Sequence, residues 1–177
     1  LAVLAKTPPA LQAVSRTYGS LLLIEVAPNR SRRASRDGDD VAILPLLEVR
    51  ATRGLLLGAH QQNMMIELDD AGMPASVWLR DCQGTGHIDR FHDMLARHCP
   101  GLGPGLGHEA ENVVSAELGD DLLTYYVVVN GVMHLLSTLA LDGLADEREL
   151  IRDWRDFLTA ARRDSRGEPA LYDKLID

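Results

Sequence analysis

The chain has 177 residues, 46% of them hydrophobic and 25% charged, which is the balance of an ordinary globular protein with room for one good core. A net charge of −8 excludes a protein that grips nucleic acid through a global basic field, and 5% aromatic content leaves few platforms for stacking single strands. Two cysteines, Cys82 and Cys99, exclude a disulfide framework and fit a reducing, cytoplasmic setting.

The opening LAVLAKTPPALQAV has no basic stretch ahead of its apolar residues and is cut by Pro8 and Pro9, so no secretory signal is expected there. Residues 10–27 read as helix or strand feeding the apolar run LLLIEVA. PNRSRRASRDGDD, residues 28–40, follows with four arginines and then three aspartates, and reads as a surface loop. Its arginines are expected to be solvated, with a phosphate contact as the alternative. VAILPLLEV then reads as a strand that Pro45 bends or confines to an edge.

MMIEL (64–68) and ASVWLR (75–80) flank DDAGMP, and an Asp and Gly turn between two short apolar runs predicts a β-hairpin. HIDRFHDMLARH, residues 87–98, has apolar residues at 88, 91, 94 and 95, the spacing of a helix. CPGLGPGLGHE breaks every pattern and reads as a linker; it lacks the Lys-Ser/Thr of a phosphate-binding loop. From 109 onward the chain reads as helical. LLTYYVVVNGVMHLLSTLAL (122–141) carries no charge, and DERELIRDWRDFLTAARR (146–163) sets Leu150, Ile151, Trp154, Phe157 and Leu158 on one stripe. The uncharged run reaches the length of a membrane span. Thr124, Asn130, His134, Ser137 and Thr138 interrupt it and acidic residues flank it, so a buried core helix is expected instead. Asn130 and His134 stand one turn apart and are expected to be hydrogen-bonded core groups, with a substrate pocket as the alternative.

These elements predict an α+β fold: a small antiparallel β-hairpin sheet followed by a C-terminal helical region. Residues 1–100 would form the α+β part, 101–108 a Gly/Pro linker and 109–177 the helical part.

The stretch GLLLGAHQQNMMIELDDAGMPASVWLRDCQG carries the chemistry. Asn63 stands just before the first hairpin strand, and Arg80 and Asp81 end the second, so antiparallel pairing is expected to gather His60, Asn63 and Asp81 in one site. A carboxylate and an amide oxygen suit Mg²⁺, which takes one or two protein oxygens and completes its shell from phosphates and water. A nearby histidine can bond a phosphate oxygen, and Arg80 can hold an anion. The order parallels protein kinases, where an Asn and a later Asp hold the metals. No counterpart of the kinase catalytic Asp stands in GAHQQN, so phosphoryl transfer to a hydroxyl is not expected. Gln61 is expected to face solvent. His87, His92, His98 and the two cysteines match no zinc-ligand spacing, and no zinc site is expected.

The same thirty residues resemble the signature of the aerobactin-synthetase (IucA/IucC) family of siderophore synthetases: a Gly-hydrophobic run, Glu-Ala-His-x-Gln-Asn, a hairpin, then Arg-Asp and a Gly. YYVVVNGVMHLLSTLALDGLADEREL is similar to that family's C-terminal helical region. The resemblance implies a kinase-like palm that binds Mg-ATP and activates a citrate-type carboxylate as an acyl-adenylate, which an amine or hydroxyl nucleophile then captures. It implies that His60, Gln62 and Asn63 line the phosphates and metal, that Asp81 is a metal ligand, and that Arg80 orients it or contacts an anion. His60 and Arg80 would be the catalytic pair, and a homo-oligomer without nucleic-acid or membrane partners is expected. The chain departs from the family at Gly58, where a Glu normally stands, and in being much shorter. It is therefore expected to be the C-terminal portion of a synthetase or a degenerate relative.

Overall fold

The computed structural model describes residues 39–70, 72–79, 85–98 and 112–177. The readings of residues 10–27, of nearly all the arginine-rich loop and of the 101–108 linker therefore lie outside the described residues.

Pro45 decides the first element, and it does so against expectation. Leu44–Arg53 is a helix, α1, with proline in its first turn, where a missing N–H costs nothing and the fixed φ suits the helix. Ile43, Leu46, Leu47, Arg50 and Ala51 recur at helical spacing and all are buried, so the apolar run marks one face of a helix. A π-helical turn, Asp39–Ile43, leads into it. Gly54, at φ 67°, closes α1 by returning its N–H to the carbonyls of Arg50 and Val49.

Two small sheets follow. β1 (Leu55–Leu56) pairs antiparallel with β4 (Gly86–Ile88), which pairs parallel with β5 (Val113–Val114). Residues 87 and 88, which the periodicity placed in a helix, are thus strand. The Ile88 N–H donates to the Gly54 carbonyl at 2.8 Å, and its side chain is fully buried. The expected helix starts later, after a 3₁₀ turn over Asp89–Phe91, as α2 (His92–His98). The predicted hairpin is present as β2 (Met64–Leu68) and β3 (Pro74–Leu79), with Met64 opposite Leu79 and an irregularity between Glu67 and Leu68. Asp69 tightens the turn by accepting the Met73 N–H at 2.8 Å. On its open face, Glu67 accepts the Ser76 hydroxyl at 2.6 Å and the Trp78 indole N–H at 3.3 Å, and these two bonds hold its carboxyl below the usual range.

Ser115 caps the next helix by accepting the Leu118 N–H. The helix runs unbroken from Ala116 to Leu141, long and apolar enough by length and composition to cross a membrane. It comprises α3 (Ala116–Leu123), a π-helical stretch (Thr124–Met133) and α4 (His134–Leu141). The core-helix reading holds for one face, where Leu123, Val127, Val132, Leu136 and Leu139 are buried; Tyr125, Val129 and Leu141 on other sides are exposed. Asp146 then caps α5 (Glu147–Asp164), whose buried stripe is Leu150, Trp154, Leu158 and Ala161, with Trp154 stacked on Phe157. Ile151, placed on that stripe by the periodicity, is 48% exposed. α6 (Pro169–Ile176) completes the chain and buries Leu171 and Tyr172 entirely.

One apolar cluster joins α1, Met64, the long helix, α5 and α6. Each fully buried large side chain in it contributes about 1.5–3 kcal/mol over its exposed state. A charged joint runs through the same layer. Arg50, wholly buried, donates to Asp120 at 2.6 Å and to Glu168 at 3.0 Å, and Glu168 also meets Arg90. Burial pushes the Glu168 carboxyl up, but the hydrogen bonds and charges of Arg90 and Arg50 outweigh it and hold the carboxyl below its ordinary value. The buried Tyr172 hydroxyl donates to Glu48; burial first, and that carboxylate second, raise its ionisation above the tyrosine norm. The architecture is α+β, with small sheets and a C-terminal helical region, as the sequence leads one to expect.

Candidate functional site

The site grows from the seven residues between β1 and β2. After Leu56 the chain turns sharply, with the Ala59 N–H bonded to the Leu57 carbonyl. His60, in extended conformation, opens a 3₁₀ turn over Gln61–Asn63, closed by the Asn63 N–H on the His60 carbonyl at 2.8 Å. Asn63 is 8% exposed, and its side chain holds the turn together. Its Nδ2 lies 3.1 Å from the Gly58 carbonyl oxygen and 3.1 Å from His60 Nε2. That leaves Oδ1 as the acceptor the side chain can still offer.

The turn leans on the long helix. Gln61 donates from Nε2 to the Gly131 carbonyl in the π-helical stretch at 3.4 Å, so it is a half-buried contact and not the solvent-facing residue expected. His60, Gln61 and Gln62 form one wall of a cleft of about 500 Å³. Tyr125, Tyr126, Asn130 and His134 form the other. The tilted His60 and Tyr126 rings are 6.0 Å apart across it, and Tyr125 stands edge-on to Tyr126 at 5.3 Å. The wall exists because of the helix type. In a π-helix the bonds run i→i+5, so residues four and five apart stay on one side, and 125, 126, 130 and 134 face the cleft together. Asn130 and His134 are therefore pocket residues, the alternative that the sequence left in second place. The two tyrosines were missed, although Tyr126 stands four residues before Asn130 on the spacing that links Asn130 to His134; Tyr125 is the residue the π phase adds.

Among the described residues the lining brings no Asp, Glu, Lys or Arg. Among the described residues no group of three His, Cys, Asp or Glu gathers to hold a metal. His87 and His92 do meet, Nε2 to Nδ1 at 3.0 Å with stacked rings, but away from this cleft and as a pair. Of the residues expected at the site, His60, Gln62 and Asn63 come together. The hairpin register, Met64 opposite Leu79, ends β3 beside Asn63. Arg80 and Asp81 themselves lie outside the described residues.

With the geometry in place, comparison with known proteins gives a class. The rhizobactin siderophore biosynthesis protein RhbC of Rhizobium meliloti is 32% identical over 111 residues, 63% of this chain and 18% of that protein. N(2)-citryl-N(6)-acetyl-N(6)-hydroxylysine synthase of Vibrio mimicus is 34% identical over 110 residues, 62% of this chain and 18% of that one. The ATP-bound aerobactin synthetase IucA from a hypervirulent pathotype of Klebsiella pneumoniae superposes with a TM-score of 0.73 at 22% identity, over 99% of this chain and 28% of the other. The chain is thus homologous to siderophore synthetases, shares their fold, and spans 18% of the length of the two curated relatives. Residues 40–175 match the family described as ferric iron reductase FhuF-like transporter, and the chain belongs to that family.

Proposed function

We propose that this chain is the nucleotide-facing, C-terminal portion of a siderophore synthetase that uses Mg-ATP to adenylate a citrate-type carboxylate for capture by an amine or hydroxyl. The observation that carries the reading is the His60–Asn63 turn locked against the aromatic wall of a ligand-sized cleft, in a chain whose relatives include a citryl-hydroxylysine synthase. The division at 101–108 would then separate the turn-bearing part from the helical part that supplies the second wall.

The donor set fits the cation in kind. Asn63 Oδ1 is a hard oxygen ligand, and Asp81 would supply the carboxylate beside it, leaving the remaining positions to phosphate oxygens and water, as Mg²⁺ prefers. Such an ion neutralises charge at the phosphates when bound. Gln62 would hydrogen-bond a phosphate oxygen and Arg80 an anionic oxygen of the acid or phosphate. The tyrosine wall would exclude water from the reacting carboxylate and give a planar group a face to lie on. A merely nucleotide-binding, non-catalytic module is the second reading, favoured by Gly58 in place of an acidic residue. The family description also names iron reduction, yet these 177 residues bring two cysteines where a cluster takes four thiolates.

Calorimetry with Mg-ATP on the chain and on Asp81→Ala tests the first half of the proposal: binding that depends on Asp81 is expected. Citrate-dependent release of AMP and pyrophosphate tests the second. ADP as product would overturn adenylation in favour of phosphoryl transfer, and binding without either product would leave the non-catalytic reading.

A further inference from the structure

Asn63 does more than brace the turn. A carbonyl oxygen can only accept, so the Asn63 atom 3.1 Å from the Gly58 oxygen is the amide nitrogen. That nitrogen's second hydrogen is aimed at His60 Nε2, also 3.1 Å away. Turning the amide over would set two oxygens against each other at Gly58, so one geometry satisfies both contacts. A ring nitrogen that receives an N–H must be bare, and the proton of a neutral imidazole then resides on the other nitrogen.

We infer that Asn63 is a positioning residue that holds His60 in the Nδ1–H form, so that the imidazole presents a donor to an anionic oxygen of the ligand. His60 lines the cleft and is half-buried. With its proton already facing the ligand and Nε2 occupied, His60 is not the base that takes a proton from an incoming nucleophile. Among the described residues that line the cleft no Lys or Arg stands, so a fixed imidazole N–H adds a donor there for negative charge. The donor role rests on the proposed function, whereas the proton's position does not.

Nitrogen-15 NMR on the full chain tests it, at about pH 8.5, well above the ~6.5 of a model imidazole. His60→Gln identifies the signals. The expected result without any ligand is a protonated-type shift at Nδ1 and a bare-type shift at Nε2. Asn63→Ala should move the ring toward the Nε2–H form that free histidine favours, and Asn63→Asp, which can only accept, should impose it. A native ring already in the Nε2–H form overturns the inference, and this measurement decides even where a variant fails to fold. Mg-ATP and citrate are then added separately: a shift at Nδ1 with the first assigns the acceptor as phosphoryl, with the second as carboxyl. No shift with either removes the donor role. Because the first reading needs no nucleotide, failure of the synthetase assay and failure of this inference are distinct results.

Discussion

Arg50 is the buried cation that ties Asp120 to Glu168. It sits on the core face of α1, where the pattern calls for an apolar side chain, and is fully buried. Its guanidinium answers Asp120 and Glu168, so removing it strands a buried carboxylate. Arg50→Met is expected to cost about 3–5 kcal/mol, the usual penalty for breaking one side of a buried pair, read as a lower urea midpoint. Replacing Arg50, Asp120 and Glu168 together by apolar residues of similar volume should cost less than the single change, because no charge is then left alone. At the cleft, Gly58 is the residue to change. If the acidic residue that relatives of the resembled family carry there serves nucleotide or metal, Gly58→Glu raises the affinity for Mg-ATP, and calorimetry shows it as a lower Kd.

Elements separate what can be read from the sequence from what cannot. The hairpin and α5 are legible because local signals agree: an Asp and Gly turn between alternating strands, and Asp146 ahead of an amphipathic run with acidic residues in its first turn. Asp146→Ala should therefore cost about 1 kcal/mol, measured by thermal or urea unfolding. α1 misleads because Pro45 suits either a strand edge or a helix start, and the tie is broken by tertiary burial of Ile43, Leu46 and Leu47. Ile88 misleads because its place in β4 depends on Gly54, which accepts its N–H, and on Val114 opposite it in β5, both remote in sequence. His60 and Asn63 were legible as neighbours from spacing, and Gln62 only from the family resemblance; of the opposite wall the Asn130–His134 pair alone was legible, as an alternative to a core role. Deleting one residue within 124–133 would let that stretch return toward i→i+4 bonding, the helix on either side keeping its facing while the residues between shift on the wall. The cleft should then lose Tyr125 or Tyr126 while the helical circular dichroism stays near that of the parent.

At the scale of the whole molecule, Glu168 at the N-cap of α6 and Tyr172 within it make stability depend on pH in opposite senses. Glu168 ionises more readily when folded, so its contribution is complete above the ordinary carboxyl pKa of 4.5 and disappears as pH falls through the lower folded value. Tyr172 behaves in the opposite sense. Its folded pKa is raised, so its contribution is complete below the ordinary value of 10.0 and is lost as pH climbs beyond it. Urea midpoints against pH should form a plateau with an acid limb that Glu168→Gln flattens and an alkaline limb that Tyr172→Phe flattens.

The joint of Arg50, Arg90, Asp120 and Glu168 also bears on how the chain folds and how it can be cut. Its bonds close stretches of 70, 78 and 118 residues, among the longest ties in the molecule. Such closures come late in folding, since the chain entropy must be surrendered before the contact returns anything. The final thirteen residues are therefore a clasp and not a tail. A protease that nicks after Asp164 would remove Glu168 and Tyr172 in one stroke, and the remainder should expand and exchange its core amide hydrogens freely instead of persisting as a trimmed native fold.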